Sequence, residues 1–416
     1  MDVTKIVDPK SYREFAGASW PSYEDFVRGE LSSDPAIAKE ITDFVAVMVG
    51  RYENLRLGEG DRLAKENQQR QGQVFFDKNL KTVSPCRVPW ETLGVNSNGE
   101  LFICSSPSWI PKFVGNIINI GNIYSALNSP TALSIRQEIL AGRYYYCNNT
   151  ICSFFAKIPR GSYTAEAVDQ TPLEPTDDWE DLLVKQVPKN LIFDFDYTCN
   201  FKCPSCRTEL INWNRHHLIR PINDQIVDKI KHLIIDEIKT QSVSIRWAGG
   251  EPFLSEPYLD LFEYIIASGK TNIQNIIQTN GSYLNSKVVR GLLPYISELR
   301  ISFDAATAET YALTRVNGNW TKLLDNVQYV MELKRELGVA TRISADFVVQ
   351  KDNYREIPEF VDLCRQLGIT FTLQKMWNWG TWDNATFAEK NVYQPEHPEY
   401  QELKRYFQQA GQFISN

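Results

Sequence analysis

Between residues 191 and 376, six short apolar segments alternate with amphipathic helical ones, and this alternation restricts the possible folds more than any other feature of the chain. The strand candidates are LIFDFDY, SVSIRWAG, NIIQTNG, LRISFDA, RISADFVVQ and TFTLQKM, with helical stretches such as YLDLFEYIIASG and KLLDNVQYVMELKRELG between them. Strands joined through a helix pair in parallel by right-handed crossovers, so the segment predicts an α/β fold with a parallel sheet covered by helices.

The remainder of the 416 residues reads differently. Residues 1–80 are helical in pattern, with Asp34-Pro35 opening an amphipathic segment. Residues 81–160 turn to short strands, where Asn98-Gly99 between TLGV and ELFIC predicts a type I′ hairpin, followed by a helix from about Ser129-Pro130 to Gly142. The acidic, proline-bearing stretch 161–190 reads as a linker, 191–390 as the main domain, and 391–416 as a closing segment with a C-terminal helix. A net charge of -7 argues against a nucleic-acid partner held through its phosphates. No uncharged apolar run approaches the ~20 residues of a membrane helix, and MDVTKIVDPKSYREF lacks a signal-peptide core, so a cytoplasmic location without membrane partners is expected.

In such a compartment, eight cysteines favour metal ligation or catalysis over disulfides. They fall into groups of four (Cys86, Cys104, Cys147, Cys152), three (Cys199, Cys203, Cys206) and one (Cys364). The three lie on the loop after the first apolar strand, at the C-terminal mouth of the expected sheet, where α/β folds gather reactive groups. Three thiolates hold a 4Fe-4S cluster with one iron open to an external ligand. A structural zinc site is the competing reading of the same loop.

Several further motifs in order give the segment 190–376 its resemblance to the radical SAM superfamily. Cys199-X3-Cys203-X2-Cys206 resembles the family's cluster loop, and Gly249-Gly250-Glu251-Pro252 its GGEP motif, which binds the methionine amino group of S-adenosylmethionine (AdoMet). Gln278-Thr279-Asn280-Gly281 and Ser302-Phe303-Asp304 resemble positions near the methionine carboxylate and the ribose, and Arg315 resembles a carboxylate-binding arginine. The resemblance implies a TIM-like partial (β/α)6 barrel, a SAM-binding 4Fe-4S cluster, reductive cleavage of AdoMet to a 5′-deoxyadenosyl radical, and hydrogen abstraction from a substrate. It also implies an external reductant such as flavodoxin or ferredoxin. One departure is Ser205, where the family often has an aromatic residue against adenine; Phe201 is the nearest substitute.

Cys86-X12-Gly99-X4-Cys104, a helix, and then Cys147-X4-Cys152 resemble the auxiliary cluster domains of the SPASM and twitch group, here placed before the barrel instead of after it. The resemblance implies a small α+β twitch-like domain, a second, auxiliary 4Fe-4S cluster on Cys86, Cys104, Cys147 and Cys152, and an oxidoreductase or maturase acting on a peptide or peptide-like substrate by oxidation, cross-linking or epimerisation. A small-molecule dehydrogenase or epimerase of a sugar or cyclitol is the second enzyme reading, and a non-catalytic zinc-binding module is the alternative from another class. Cys364, in EIPEFVDLCRQLG, is a candidate hydrogen-atom donor, although its spacing from Phe360 and Leu363 is that of a packed helix face. Trp377, Trp379 and Trp382 follow the sixth strand and are expected to wall the barrel mouth, with packing of the last strand against the C-terminal helix as the alternative.

Overall fold

The structure, a computed structural model, describes residues 86–140, 144–148, 152, 179–217 and 219–411. The helical region expected at 1–80 and most of the linker lie outside the described residues. The chain divides into two compact units, with the boundary between Lys185 and Gln186 and with residues 94–99 grouped with the second.

In the first unit, α1 (Val88–Glu91) leads into β1 (Thr92–Asn96), and β2 (Glu100–Phe102) pairs antiparallel with β3 (Gly115–Asn116). Helices α2 (Ile123–Leu127) and α3 (Pro130–Leu140) follow, the latter with proline at its first position, as the sequence predicts. Arg136 on α3 is fully buried, and its guanidinium donates to the carbonyls of Pro89, Leu127 and Leu182 at 2.7–3.1 Å. These bonds satisfy a buried charge and tie three separate segments together. The expected type I′ turn is not formed. Gly99 N donates to Asn96 O at 2.9 Å and Gly99 alone takes positive φ (74°), so the glycine sits at the end of the turn as a bulge residue, and Asn98 is not left-handed.

The second unit carries six parallel strands in sequential order: β4 (Asn190–Asp194), β5 (Val243–Trp247), β6 (Ile273–Thr279), β7 (Ile296–Ser302), β8 (Arg342–Val349) and β9 (Thr370–Lys375). The crossovers carry α4 (Ile219–Ile230), α5 (Glu256–Ala267), α6 (Lys287–Leu292), α7 (Ala308–Thr314), α8 (Trp320–Leu337) and α9 (Ile357–Leu367); α10 (Asn384–Lys390) and α11 (Tyr400–Gln409) come after β9. Their ends are chemically marked. Ser255 caps α5 by accepting from Tyr258 N, Asn319 caps α8, and Gly338 and Gly368 terminate α8 and α9 in the left-handed conformation.

Aromatic contacts identify the face that the helices cover. Phe303, Phe347 and Phe371 all pack on Phe360 of α9, with ring centroids 6.0, 4.6 and 6.0 Å away, and Trp247 packs on Tyr258 and Phe262 of α5. Because successive strand residues point to opposite faces, Asp194, Arg246, Gln278, Arg300, Ser302, Asp346 and Gln374 line the other face. Helices on one face of a sequential parallel sheet give the architecture of a partial (β/α)6 barrel, whose inner face here is polar.

Candidate functional site

The cysteine loop begins where β4 ends, and neighbouring groups hold its approach rigidly. Tyr258 Oη accepts from Phe195 N and Asp196 N (3.0 and 3.1 Å) and donates to Ala248 O (2.8 Å). Asp196 accepts from Ser255 Oγ at 2.5 Å and from Thr198 N at 2.9 Å. Cys199 N then donates to Ile211 O at 2.7 Å, closing the loop's far side.

Each of the three sulfurs meets a hydrogen-bond donor. Phe201 N lies 3.4 Å and Asn280 Nδ2 3.7 Å from Cys199 Sγ, Arg315 Nη1 is 3.6 Å from Cys203 Sγ, and Arg207 Nη2 is 3.6 Å from Cys206 Sγ. Burial pushes the Cys199 thiol up and the Cys203 thiol up to about 11, while Arg207 and Arg315 respectively oppose the shift. A donor set of three thiols with two guanidiniums and an amide alongside suits a thiolate-ligated cluster, because the cations offset the ligands' charge and the donors orient the sulfurs. Among the described residues no group of three or more His, Cys, Asp or Glu side chains is arranged to hold a single metal ion.

The glycine pair of the GGEP segment serves the chain's own packing. A Cβ on Gly250 would overlap Thr198 O, and one on Gly249, whose φ is 97°, would sit 2.7 Å from Asp194 Oδ1 and Asp196 O. Gly250 N and Glu251 N instead donate to Asp196 O and Thr198 O at 2.9 and 2.7 Å, so the glycines let this backbone cross the segment entering the cysteine loop. Pro252 is buried behind them. Glu251, fully buried, accepts from Thr279 Oγ1 and Asn280 N, both at 2.7 Å, and from Phe253 N at 3.3 Å. Burial holds its carboxyl up at about 7 against those hydrogen bonds. Asn280 reaches on to Asn200 Oδ1 at 3.0 Å, so Glu251, Thr279 and Asn280 are joined to the cysteine loop as one network.

Ser302 Oγ accepts from Gln278 Nε2 at 2.9 Å on the inner face. Asp304, expected near a ribose, has both carboxylate oxygens engaged: Oδ1 accepts from Val348 N and Oδ2 pairs with Arg315 Nη2, each at 2.7 Å. It therefore positions Arg315, which the chain uses beside Cys203. Phe201, the expected adenine partner, is only 3% exposed and stands 3.0 Å from where a Cβ on Gly318 would lie, which makes it a packing residue. Cys364 lies away from the cysteine loop in sequence. It is fully buried on α9 beside Phe360 and Val361, and burial alone raises its thiol to about 12, which keeps it protonated in a packed helix face. Trp377 and Trp382 are half-buried and Trp379 is 40% exposed on the loop after β9.

The first unit brings its four cysteines into mutual electrostatic reach. The Cys86 thiol is raised by burial and by Cys152, Cys104 is pushed up to about 12 by burial, Cys152 and Cys86, and Cys147 is raised by burial and by the other three. Turn hydrogen bonds fix the last pair, with Cys147 N donating to Tyr144 O at 2.9 Å and Cys152 N to Asn148 O at 3.0 Å.

Reading from sequence missed Arg207, Tyr258 and the charged inner face. The signal for the last was present as polar residues at every second position of otherwise apolar strands, as in Ser244 and Arg246 of VSIRW.

Residues 195–369 match the model of the radical SAM superfamily. The curated relatives include an S-adenosylmethionine-dependent nucleotide dehydratase of Pseudoalteromonas ulvae, 26% identical over 40% of this chain and 58% of that protein. A probable GTP 3′,8-cyclase of Saccharolobus islandicus (strain L.S.2.15 / Lassen #1) is 20% identical over 44% of this chain and 54% of its own length. The chain thus spans a little over half the length of these relatives. A solved structure of native anSMEcpe with bound AdoMet has a TM-score of 0.33, at 19% identity over 45% of this chain and 51% of that one. No helix among the described residues is long and apolar enough to cross a membrane.

Proposed function

We propose that the chain is a radical SAM enzyme that abstracts hydrogen from a small polar substrate held on the inner face of β4–β9. The observation that carries this reading is the donor set around Cys199, Cys203 and Cys206, in which every sulfur has an N–H neighbour and two of those neighbours are guanidiniums. Cys199, Cys203 and Cys206 would hold a 4Fe-4S cluster, which when reduced would supply the electron that cleaves AdoMet to a 5′-deoxyadenosyl radical. The chain's own residues then orient and shield. Arg207 and Arg315 offset thiolate charge, Asp304 fixes Arg315, and Glu251 gathers the Thr279–Asn280 turn against the loop, where its buried carboxylate suits an ammonium group.

The substrate class is argued from the inner face and from the relatives. Asp194, Arg246, Arg300 and Asp346 suit a polar molecule with charged or hydrogen-bonding groups, and the relatives' names refer to nucleotides. This favours a nucleotide-like small molecule over the peptide that the resemblance alone suggests. The four thiols of the first unit, near enough to raise one another's titration, support an auxiliary 4Fe-4S cluster, and eight cysteines without disulfides suit a reducing cytoplasm in which a flavodoxin or ferredoxin delivers the electron.

The test is anaerobic reconstitution followed by electron paramagnetic resonance of the dithionite-reduced protein. Adding AdoMet is expected to shift the cluster signal; a signal that AdoMet leaves unchanged, or a colourless protein that takes up zinc and no iron, contradicts the reading.

A further inference from the structure

Asp346 is placed at the centre of the inner face. On β8 it stands in register with Ser302 of β7 and Thr372 of β9, while its neighbour Phe347 points the other way, into the aromatic contact with Phe360. The residue is 3% exposed, and neither carboxylate oxygen makes a hydrogen bond of full geometry, although the amides of Gln278 and Gln374 come near enough to lower its carboxyl. Its neighbours are Arg300 and the amides of Gln278 and Gln374. The first two are engaged elsewhere: Arg300 makes two bonds to Glu298, at 2.9 and 3.0 Å, and Gln278 Nε2 donates to Ser302 Oγ.

An unsatisfied buried carboxylate is expensive, and folded chains rarely keep one without a use. Neither oxygen is fully bonded, and amides stand on either side. Such a row matches a planar edge with two adjacent N–H donors better than a lone ammonium, because a carboxylate binds paired donors bidentately.

We propose that Asp346 is the substrate-recognition carboxylate, taking two parallel N–H groups of a planar N–C–N unit, with Gln278 and Gln374 contacting the atoms beside it. This rests on the enzyme reading above and adds the chemistry of its substrate. Two sources present the unit: a guanine-type base through its ring N–H and exocyclic amine, and a guanidinium group. Burial raises the Asp346 carboxyl, so a donor pair that favours the ionised form draws it down on binding.

The test uses the full chain with its cluster reconstituted and AdoMet present, and reads equilibrium binding by calorimetry with GTP, inosine triphosphate and agmatine as probes. Inosine triphosphate keeps the ring N–H and lacks the exocyclic amine. Binding of GTP at least about tenfold tighter than inosine triphosphate assigns a guanine-type base, and selective binding of agmatine assigns a guanidinium, since the loss of one charge-assisted bond weakens binding by about that factor or more. In either case Asp346→Asn is expected to weaken the preferred probe at least about tenfold. The GTP-to-inosine-triphosphate ratio is read on the unaltered chain and does not depend on whether the variant folds. If no probe binds, if GTP and inosine triphosphate bind equally and agmatine does not bind, or if a folded Asp346→Asn variant binds like the parent chain, the proposal is wrong. Failure of AdoMet to bind in the same titration overturns the enzyme reading instead, so the two failures are distinguishable.

Discussion

Asp304 and Arg315 form a buried ion pair, Oδ2 to Nη2 2.7 Å, in which the aspartate side chain is 2% and the arginine side chain 13% exposed. Asp304 holds an unusual positive φ of 55°, and Asn353 Nδ2 secures its carbonyl at 3.0 Å. The pair connects the end of β7 to the cysteine loop, because the same guanidinium lies 3.6 Å from Cys203 Sγ.

Removing one partner of a buried pair leaves the other charge uncompensated and costs about 3–5 kcal/mol. Asp304→Asn retains an acceptor for Val348 N but loses the charge that holds Arg315. The variant is expected to melt several degrees lower and to retain less iron after reconstitution, measured by thermal denaturation and iron assay. An unchanged melting temperature would contradict the role given to this pair.

The glycine prediction separates crowding from backbone conformation. Gly250→Ala drives a methyl into Thr198 O and is expected to destabilise by about 3 kcal/mol or more, with loss of cluster retention. Gly269→Ala is the control: its φ is 66° with open space around it, so it is expected to cost only the ~1–2 kcal/mol of a left-handed residue. Chemical denaturation of both variants measures the difference.

Glu251 gives the protein without AdoMet a pH dependence of definite sign. Its folded-state value of about 7 lies above the ordinary glutamate value of 4.5, so between these values the folded chain binds more protons than the unfolded one. Stability from this group is therefore full below about pH 4.5 and declines as pH rises towards about 7, by up to roughly 3 kcal/mol. Thermal melts from pH 5 to pH 8 are expected to show this decline, and Glu251→Gln is expected to flatten it.

The four cysteines of the first unit predict a second cluster. Iron analysis is expected to give about eight irons per reconstituted chain, falling to about four in Cys147→Ala, with Cys364→Ala unchanged. A value of about four in the parent chain would contradict the auxiliary cluster.

How much of this was legible in the sequence varied with the kind of interaction. The six strands and their parallel pairing followed from alternation: RISADFVVQ and TFTLQKM each contain a strand of the sheet, Arg342–Val349 and Thr370–Lys375. Local spacing alone singles out Cys199, Cys203 and Cys206, which one loop brings together. Roles that depend on distant partners did not follow. Arg136 contacts segments 9 to 47 residues away, and the reason for Gly250 lies at Thr198, across the strand crossing. The turn at Asn96–Gly99 was misjudged because Asn-Gly suits two turn geometries, and the surrounding strands select between them. Asp346 reads as one polar residue within a strand until the register sets it between Ser302 and Thr372.

The central claim is that Cys199, Cys203 and Cys206 hold the group that cleaves AdoMet. The direct measurement is 5′-deoxyadenosine, quantified by liquid chromatography after anaerobic incubation of the reconstituted chain with AdoMet and dithionite. The parent chain is expected to release it, and a chain with Cys199→Ala, Cys203→Ala and Cys206→Ala together is expected to release none; equal release from both would contradict the account.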